Sequence, residues 1–387
     1  GGWLRTLSEI YTNENLDGLK GMLVRNLLNN SCLYLDQEML DLYNEREMAL
    51  SGSTEPFSLD YNAYKTAYYT LWDAMAKVFV DEYYVEGTKE TMTAMFEDVR
   101  AAMKERIEQA EWMGETTRQK ALEKLDEIIP LMCYPDEWTD FSELMLPSAA
   151  GGSLLGDAAA IRTFNTANHA ALLETGADRT YWYNDVYSAH VVNAWYDPSL
   201  NTVTIPLGIL GGEFYGPDRS YEQNLGSIGV VMGHEITHGF DDMGSRYDGQ
   251  GNLSDWRTAA DRAAFDEKCQ RVADRFDSIE ALDGIYCLGE PMIGEAVADL
   301  GSISIVLEIA ADRNGFDYRE LFEQFAHMWQ NLGRYNYVSN LIEIDVHPLS
   351  YLRVNVTLSQ YQVFLDTYGV EKGDGMYVAP EDRITVW

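Results

Sequence analysis

One five-residue stretch, 234–238, constrains this chain more than any other, because it reads His-Glu-x-x-His. Two histidines four residues apart on a helix lie on one face, about 6 Å apart along the axis, so both imidazoles can reach one small cation. Glu235 follows His234 directly and points to a different side of the helix. That position suits a group that holds a water beside a metal better than it suits a third ligand.

The spacing is the signature of zinc metalloproteases, in which two histidines bind Zn²⁺ and the glutamate is the general base. A buried helix with two hydrogen-bonded histidines would give the same letters. The chain has only six histidines, which makes an accidental match uncommon. We therefore predict His234 and His238 as metal ligands and Glu235 as the general base. For the helix itself, we predict Ser227 as the N-cap and Gly239 as a left-handed C-terminus.

A catalytic zinc site needs a third protein ligand and one position open to water. The best candidate is Glu295, which shares a helix face with Asp299 among small apolar neighbours, where an unpaired carboxylate is costly to bury. A metal would relieve that cost for Glu295. Asp299 would then hydrogen-bond the far ring nitrogen of a ligand histidine. The alternative is that both are solvated helix carboxylates.

Charge and length limit the classes of protein. The formal net charge is −35, from 63 acidic and 28 basic residues among 387, so nucleic acid and anionic membranes would be repelled. No apolar run is long enough to span a membrane, and we expect no direct membrane insertion. The acidic surface indicates ordinary solvation, with a preference for cationic peptides as the alternative. The length allows two or three domains, and oligomeric state is not predicted.

The chain start and the cysteines bear on location. The chain opens with Gly1, without an initiator Met or a signal peptide, which indicates an excised fragment or mature form. Together with the acidic surface, this favours an extracytoplasmic location, secreted or in the cell envelope, over the cytoplasmic alternative. The four cysteines are too few and too spread for a disulfide scaffold, and none lies in a Cys-x-x-Cys pair.

Periodicity predicts the order of elements. Apolar spacings of three and four predict helices over 4–111, broken at 51–56, with a stripe of Leu16, Leu19, Met22, Leu23 and Leu27 as core. A further helix is predicted after Thr116, with Ile129 on its buried side. Residues 189–205 predict a short β-hairpin, whose free edge would pair with an extended peptide above the metal, or would be an ordinary buried hairpin. Residues 255–279 predict a charged amphipathic helix.

The stretches 231–242 and 294–299 closely resemble the neprilysin / endothelin-converting-enzyme family of zinc metalloendopeptidases, which are gluzincins. The resemblance covers most of the chain, and further matches lie at 112–113, 117–118, 193–196, 206–210, 347–348, Arg353 and 386–387. It implies a mainly α fold with a small β-sheet. A thermolysin-like zincin catalytic domain would occupy 86–387, and 1–85 would be the remaining helices of a second, capping domain with its linkers.

The resemblance also implies roles for individual residues. Asn193 and Ala194 would hold the substrate backbone, His347 would stabilise the transition state, and Arg353 would contact a substrate carbonyl. Six residues would form a hydrophobic pocket for the residue after the cut: Ile209, Phe214, Val230, Val231, Met328 and Trp329.

Some positions depart from the family pattern. Ile384 stands where many members have a cysteine, so Cys269 would lack that disulfide, and the missing family disulfides indicate a bacterial source. The stretch 211–213, Gly-Gly-Glu, replaces a Pro-containing one, which would alter subsite shape without touching the metal.

The sequence thus predicts a gluzincin with one Zn²⁺ per chain that hydrolyses oligopeptides. It would prefer a bulky hydrophobic residue at the new N-terminus. The alternative is a non-catalytic peptide-binding or scaffold protein that retains the metallopeptidase fold.

Overall fold

The computed structural model describes residues 2–176, 178–182 and 188–387. The helices are α1 (Gly2–Ile10), α2 (Leu16–Ser31), α3 (Gln37–Ser51), α4 (Leu59–Thr70), α5 (Trp72–Tyr83), α6 (Thr88–Gln109), α7 (Glu115–Asp126), α8 (Leu154–Thr175), α9 (Tyr221–Asn224), α10 (Val230–His238), α11 (Ala259–Asp277), α12 (Ile293–Ala311), α13 (Tyr318–Met328), α14 (Tyr335–Ile344), α15 (Ser350–Leu358) and α16 (Gln362–Tyr368). The strands are β1 (Ile129–Cys133), β2 (Trp195–Asp197), β3 (Thr202–Pro206), β4 (Glu280–Leu282) and β5 (Ile285–Tyr286). The predicted fold class, mainly α with a small β-sheet, is confirmed.

The chain forms two compact units. One comprises residues 1–72 and 140–176, and the other comprises 73–139 and 177–387. Every candidate site residue lies in the second unit. The predicted domains, 1–85 and 86–387, are a different division of the chain and stay a prediction.

Within the first unit, local sequence explains where helices begin and end. α3 starts at the N-cap Asp36, whose side chain accepts from the Met39 N–H, and ends where Gly52 takes a left-handed conformation. α4 starts at the N-cap Ser58 in the same way. The break between the two helices falls where the sequence predicts one.

The apolar stripe of α2 differs from its prediction. Leu23 and Leu27 are 64% and 63% exposed, Leu16 and Met22 are exposed as well, and Leu19 is only partly buried, although their spacing predicted buried core. The prediction is wrong for this helix. Periodicity identifies the residues that share a face, but it does not show that another element covers that face.

The core of the second unit is built around α6. Phe96, Val99, Met103 and Ile107 recur at intervals of three and four along this helix and are fully buried. Burying each such side chain stabilises the fold by roughly 1.5–3 kcal/mol. α6 packs against β1, α10 and α12, so the core supports the helices that carry the predicted metal ligands.

A three-stranded sheet has the order β1-β3-β2, with β1 parallel and β2 antiparallel to β3. The predicted hairpin therefore forms, although its first strand has only three residues and begins at Trp195. The helix predicted after Thr116 ends at Asp126, and Ile129 belongs to β1 instead. Two causes are visible: the residue before Pro130 disfavours the α conformation, and β3 offers a partner for the ladder.

Two further features concern membranes and cysteines. Among the helices that the structure describes, none is both long and apolar enough to cross a membrane. Cys32, Cys133, Cys269 and Cys287 are all buried and unpaired with one another. Cys269 thus lacks the disulfide whose absence Ile384 predicts.

Candidate metal centre and catalytic cavity

The helix that carries the His-Glu-x-x-His stretch begins earlier than predicted. Ser220 is the N-cap of α9 and forms a capping box with Gln223. A π-helical turn over Leu225–Gly229 then leads into α10. Ser227 lies inside this segment, where its hydroxyl donates to the Gln223 carbonyl at 2.9 Å, so the prediction of Ser227 as the N-cap is wrong.

The end of α10 also differs. Gly239 is right-handed, with φ −61°, so the predicted left-handed cap is wrong. The chain turns at Asp241 instead, whose Oδ1 accepts from the backbone N–H groups of Met243 and Gly244 at 2.8 and 2.6 Å. The Asp241 side chain, after the helix, therefore forms the turn that was predicted at Gly239.

Two glycines let α10 and α12 approach closely. A Cβ atom on Gly301 would lie 2.5 Å from Cγ2 of Thr237, and one on Gly233 would lie 3.1 Å from Cα of Ser302. Such distances leave no room for a larger residue at Gly301 without moving the helices apart. The close contact places Glu295 and Asp299 of α12 beside the histidines of α10.

The three predicted metal ligands lie together. Nε2 of His234 is 3.0 Å from Nε2 of His238 and 3.2 Å from Oε2 of Glu295, and His238 is 3.5 Å from Oε1 of Glu295. Ligand atoms about 2.0–2.2 Å from a zinc ion lie roughly 3.3–3.6 Å apart at tetrahedral corners. The observed separations are close to these values, so the three residues fit one such ion.

The surroundings of Glu295 support this fit. Its Oε2 atom is buried and forms no well-aligned hydrogen bond with the described residues, although Nε2 of His234 and Nε2 of His347 lie 3.2 and 3.3 Å away. A buried carboxylate oxygen that is so poorly satisfied is costly, and a cation held between these atoms would remove that cost. The donor set of two imidazoles and one carboxylate is also the one that catalytic zinc sites use.

Asp299 supports one of the ligands and an arginine at once. Its Oδ1 lies 2.9 Å from Nδ1 of His234, and its Oδ2 accepts from Nε of Arg353 at 2.8 Å. Burial raises the pKa of the Asp299 carboxyl, but Arg353 and His234 lower it overall, so Asp299 is ionised. Arg353 is buried, and its guanidinium lies 3.9 Å from the centre of the Trp329 ring.

Asp241 supports the other ligand, and sequence reasoning missed it. Its Oδ2 lies 2.7 Å from Nδ1 of His238, while its Oδ1 closes the turn after α10. The sequence shows a turn at this position, and it does not show that the turn brings a carboxylate back to the preceding histidine. A spacing of three residues from a helix-terminal ligand is the signal that was available.

Glu235 is buried at the cavity wall and lies next to the cluster in sequence. Burial raises the pKa of its carboxyl, and nearby His234 and His238 oppose the rise. A carboxylate whose pKa is raised above its ordinary value is a stronger base, which suits the acceptance of a proton from water.

His347 reaches the cluster from the segment before α15. Its Nε2 lies 3.3 Å from Oε2 of Glu295, and its Nδ1 lies 2.7 Å from Oδ1 of Asp345. The half-exposed ring is thus oriented by a carboxylate two residues earlier. Asp345 is a second residue that sequence reasoning missed.

Lys124 is a third. This residue of α7 is fully buried, and its ammonium donates to the carbonyls of Gly244 and Tyr247 at 2.7 and 2.8 Å. Burial lowers the pKa of Lys124 to about 7. Its two bonds hold the segment that follows Asp241. Through Lys124, α7 therefore stabilises the turn whose carboxylate contacts His238.

One cavity of about 1330 Å³ in the second unit is lined by the three predicted ligands together with Glu235 and Asp299. Asn193 and Ala194, just before β2, line it together with His347 and Arg353. The six residues of the predicted hydrophobic pocket also line it: Ile209, Phe214, Val230, Val231, Met328 and Trp329. The structure therefore brings every predicted site residue to one place, while their individual roles stay predictions.

Comparisons with known proteins agree with this geometry. Two family models, both described as peptidase family M13, match residues 2–135 and 193–384. The neutral endopeptidase of Lactococcus lactis is 30% identical over 383 residues, covering 99% of this chain and 60% of the relative. The chain thus spans about 60% of the length of that relative.

Two solved structures have the same fold. The Mycobacterium tuberculosis zinc metalloprotease ZMP1, in complex with inhibitor, matches with a TM-score of 0.87 and 26% identity, over 99% of this chain and 59% of that one. PEPO from Lactobacillus rhamnosis matches with a TM-score of 0.85 and 29% identity, over 98% and 60%. These matches confirm the resemblance to the neprilysin / endothelin-converting-enzyme family and the zincin fold that this resemblance implied.

Proposed function

Because the chain belongs to peptidase family M13, we propose that it is a zinc-dependent endopeptidase that hydrolyses short peptides. One observation carries the proposal. The ligand atoms of His234, His238 and Glu295 lie within 4.8 Å of one another, in a cavity that Glu235 also lines. Three protein ligands with one open position are the arrangement of a catalytic zinc, whereas structural sites use four.

His234, His238 and Glu295 would hold the ion, one per chain. When bound, the zinc polarises the scissile carbonyl and lowers the pKa of a water to near neutrality. Glu235 takes the proton of the attacking water and passes it to the leaving amine nitrogen. His347, held by Asp345, donates to the oxyanion, and removing one such donor typically costs about 3 kcal/mol.

Substrate binding uses the rest of the cavity. Asn193 and Ala194 lead into β2, which is one of the two edge strands of its sheet, so an extended peptide can pair beside them. Arg353 would contact a substrate carbonyl, although Asp299 occupies two of its nitrogens. The apolar wall that includes Phe214 and Met328 favours a bulky hydrophobic residue directly after the cleaved bond.

The alternative is a non-catalytic peptide-binding protein with the same fold. The two are separated by incubating the purified chain with a peptide library, with and without a chelator, beside Glu235→Gln. We expect the parent to cleave only without chelator, and Glu235→Gln to keep stoichiometric zinc but lose cleavage. Cleavage by Glu235→Gln at the parental rate would show that the base is assigned wrongly.

A further inference from the structure

One face of α13 is joined to the loop that precedes α9. Glu320, Gln324 and Met328 follow one another at intervals of four, so they share a face of this helix. Glu320 contacts the hydroxyl of Ser220, Gln324 bonds to Glu213, and Met328 lines the catalytic cavity. The same face therefore holds the loop at two points and forms part of the cavity wall.

The bond from Gln324 is made by a buried amide. Gln324 is 4% exposed, and its Nε2 donates to the backbone carbonyl of Glu213 at 2.7 Å and to the carboxylate of Glu213 at 3.1 Å. Both acceptors are oxygens, and only the nitrogen of the amide can donate, so the amide has one orientation here.

This bond fixes the peptide unit that leads into the cavity wall. The carbonyl of Glu213 and the N–H of Phe214 belong to the same planar group. Gln324 holds the carbonyl, and the N–H donates to the Gly211 carbonyl at 3.0 Å. Because both ends of the plane are held, the Cα of Phe214 has a fixed position and direction. The Phe214 side chain lines the cavity.

The loop has little stiffness of its own. Gly212 has φ +53°, and Gly211 precedes it, so two adjacent residues lack the restraint of a Cβ. The resemblance leads one to expect a Pro-containing stretch here, which would be stiff without outside help. Arg219, at the other end of the same loop, also holds it, through the Gly212 carbonyl at 2.7 Å. Side-chain bonds, from within the loop and from α13, thus replace backbone rigidity.

We infer that Gln324 is a positioning residue for substrate selectivity, which holds Phe214 in place as a wall of the pocket for the residue after the cleaved bond. The inference rests on the proposed function for the identity of the ligand, a peptide. Gln324 itself does not need to touch that peptide.

The test measures peptide binding, so that it does not depend on cleavage. Two peptides differ only in Phe or Ala at the residue after the expected cut, and their affinities are measured on zinc-loaded protein carrying Glu235→Gln. We expect that protein to prefer the Phe peptide by about tenfold or more, as apolar pockets do. Adding Gln324→Met removes the donor, and adding Gln324→Glu keeps the volume but places an acceptor against two oxygens.

We expect either change to reduce the preference to roughly threefold or less, through weaker binding of the Phe peptide alone. Asp218→Ala, which removes an exposed carboxylate from the same loop, should leave the preference unchanged. Three results would overturn the inference: an undiminished preference in both Gln324 variants, an equal loss for both peptides, or no preference to begin with. Selective binding by a parent that never cleaves would instead refute the proposed activity and leave the role of Gln324 standing.

Discussion

The Oδ2 atom of Asp241 lies 2.7 Å from Nδ1 of His238, the ring nitrogen that faces away from the other two predicted metal ligands. Asp299 has the same relationship to His234, at 2.9 Å. Each histidine is therefore held by its own carboxylate, which fixes the tautomer that presents Nε2 to a metal. Removing either carboxylate should weaken the hold on zinc.

Asp241→Asn should weaken zinc binding by roughly 10 to 100-fold, because an amide orients the His238 ring less strongly than a carboxylate does. Competition with a chelator of known affinity measures the change. Asp266→Asn changes an exposed residue of α11, removes the same charge without removing a hydrogen bond to His238, and should bind zinc like the parent. Equal affinities for all three proteins would contradict the supporting role.

Asp299→Asn should weaken zinc binding by a similar roughly 10 to 100-fold and should also destabilise the fold. Asp299 is the ion-pair partner of Arg353, which is buried, and breaking such a pair typically costs about 3–5 kcal/mol. Within the described part of the chain Asp241 forms an ion pair with His238 but none with an arginine, so Asp241→Asn should lower the free energy of unfolding less. Urea unfolding of the metal-free proteins measures both, and equal losses would argue against the Arg353 contribution.

Gly301→Ala should destabilise the protein and weaken its zinc site together. The added Cβ would meet Thr237, so α10 and α12 must separate. Overpacking of this kind lowers the free energy of unfolding by about 1–3 kcal/mol. Gly21→Ala is the matched control. It makes the same change within helix α2, where a Cβ meets nothing within 4 Å, and should be neutral or stabilising. Unchanged zinc affinity in Gly301→Ala would show that the helix spacing does not set the site.

His190 should make stability fall in acid. Burial lowers the pKa of this imidazole to about 4, whereas an unfolded histidine titrates at about 6.5. Below the unfolded value the unfolded chain binds a proton that the folded chain does not, so this contribution is full above about pH 6.5 and is lost as pH falls toward 4. His190→Gln should therefore lose less stability than the parent across that range.

The measurement for His190 is the urea midpoint of metal-free protein at several pH values between 4 and 7. His169→Gln changes an exposed histidine of α8 and should give a profile parallel to that of the parent. If the His190→Gln profile is parallel as well, the buried imidazole does not contribute to the pH dependence.

The ligands could be predicted from the sequence because short-range geometry fixes them. His234 and His238 share a helix face whatever surrounds them, and so do Glu295 and Asp299. The hairpin strands were also found by local pattern. Bringing the two helices together depends on a contact between Gly301 and Thr237, and spacing alone does not reveal such a contact.

Other features depend on partners that a single sequence does not name. β1 forms because β3 lies beside it, which overrode a helical pattern through Ile129. The hydrogen bond from Lys124 to the Gly244 carbonyl joins segments far apart in the chain, so no local motif predicts it. The stripe of α2 was predicted as core because periodicity is silent about what covers a face.

The brevity of β2 has a consequence for how widely such an enzyme would act. A three-residue edge can pair with only a few peptide groups of a substrate, and main-chain pairing is indifferent to side chains. Discrimination between substrates would then depend on the hydrophobic pocket for the residue after the cut, whose shape depends on the loop that carries Phe214. A chain built this way would hydrolyse many unrelated peptides, and a change in its substrate preference would require substitutions in one loop only.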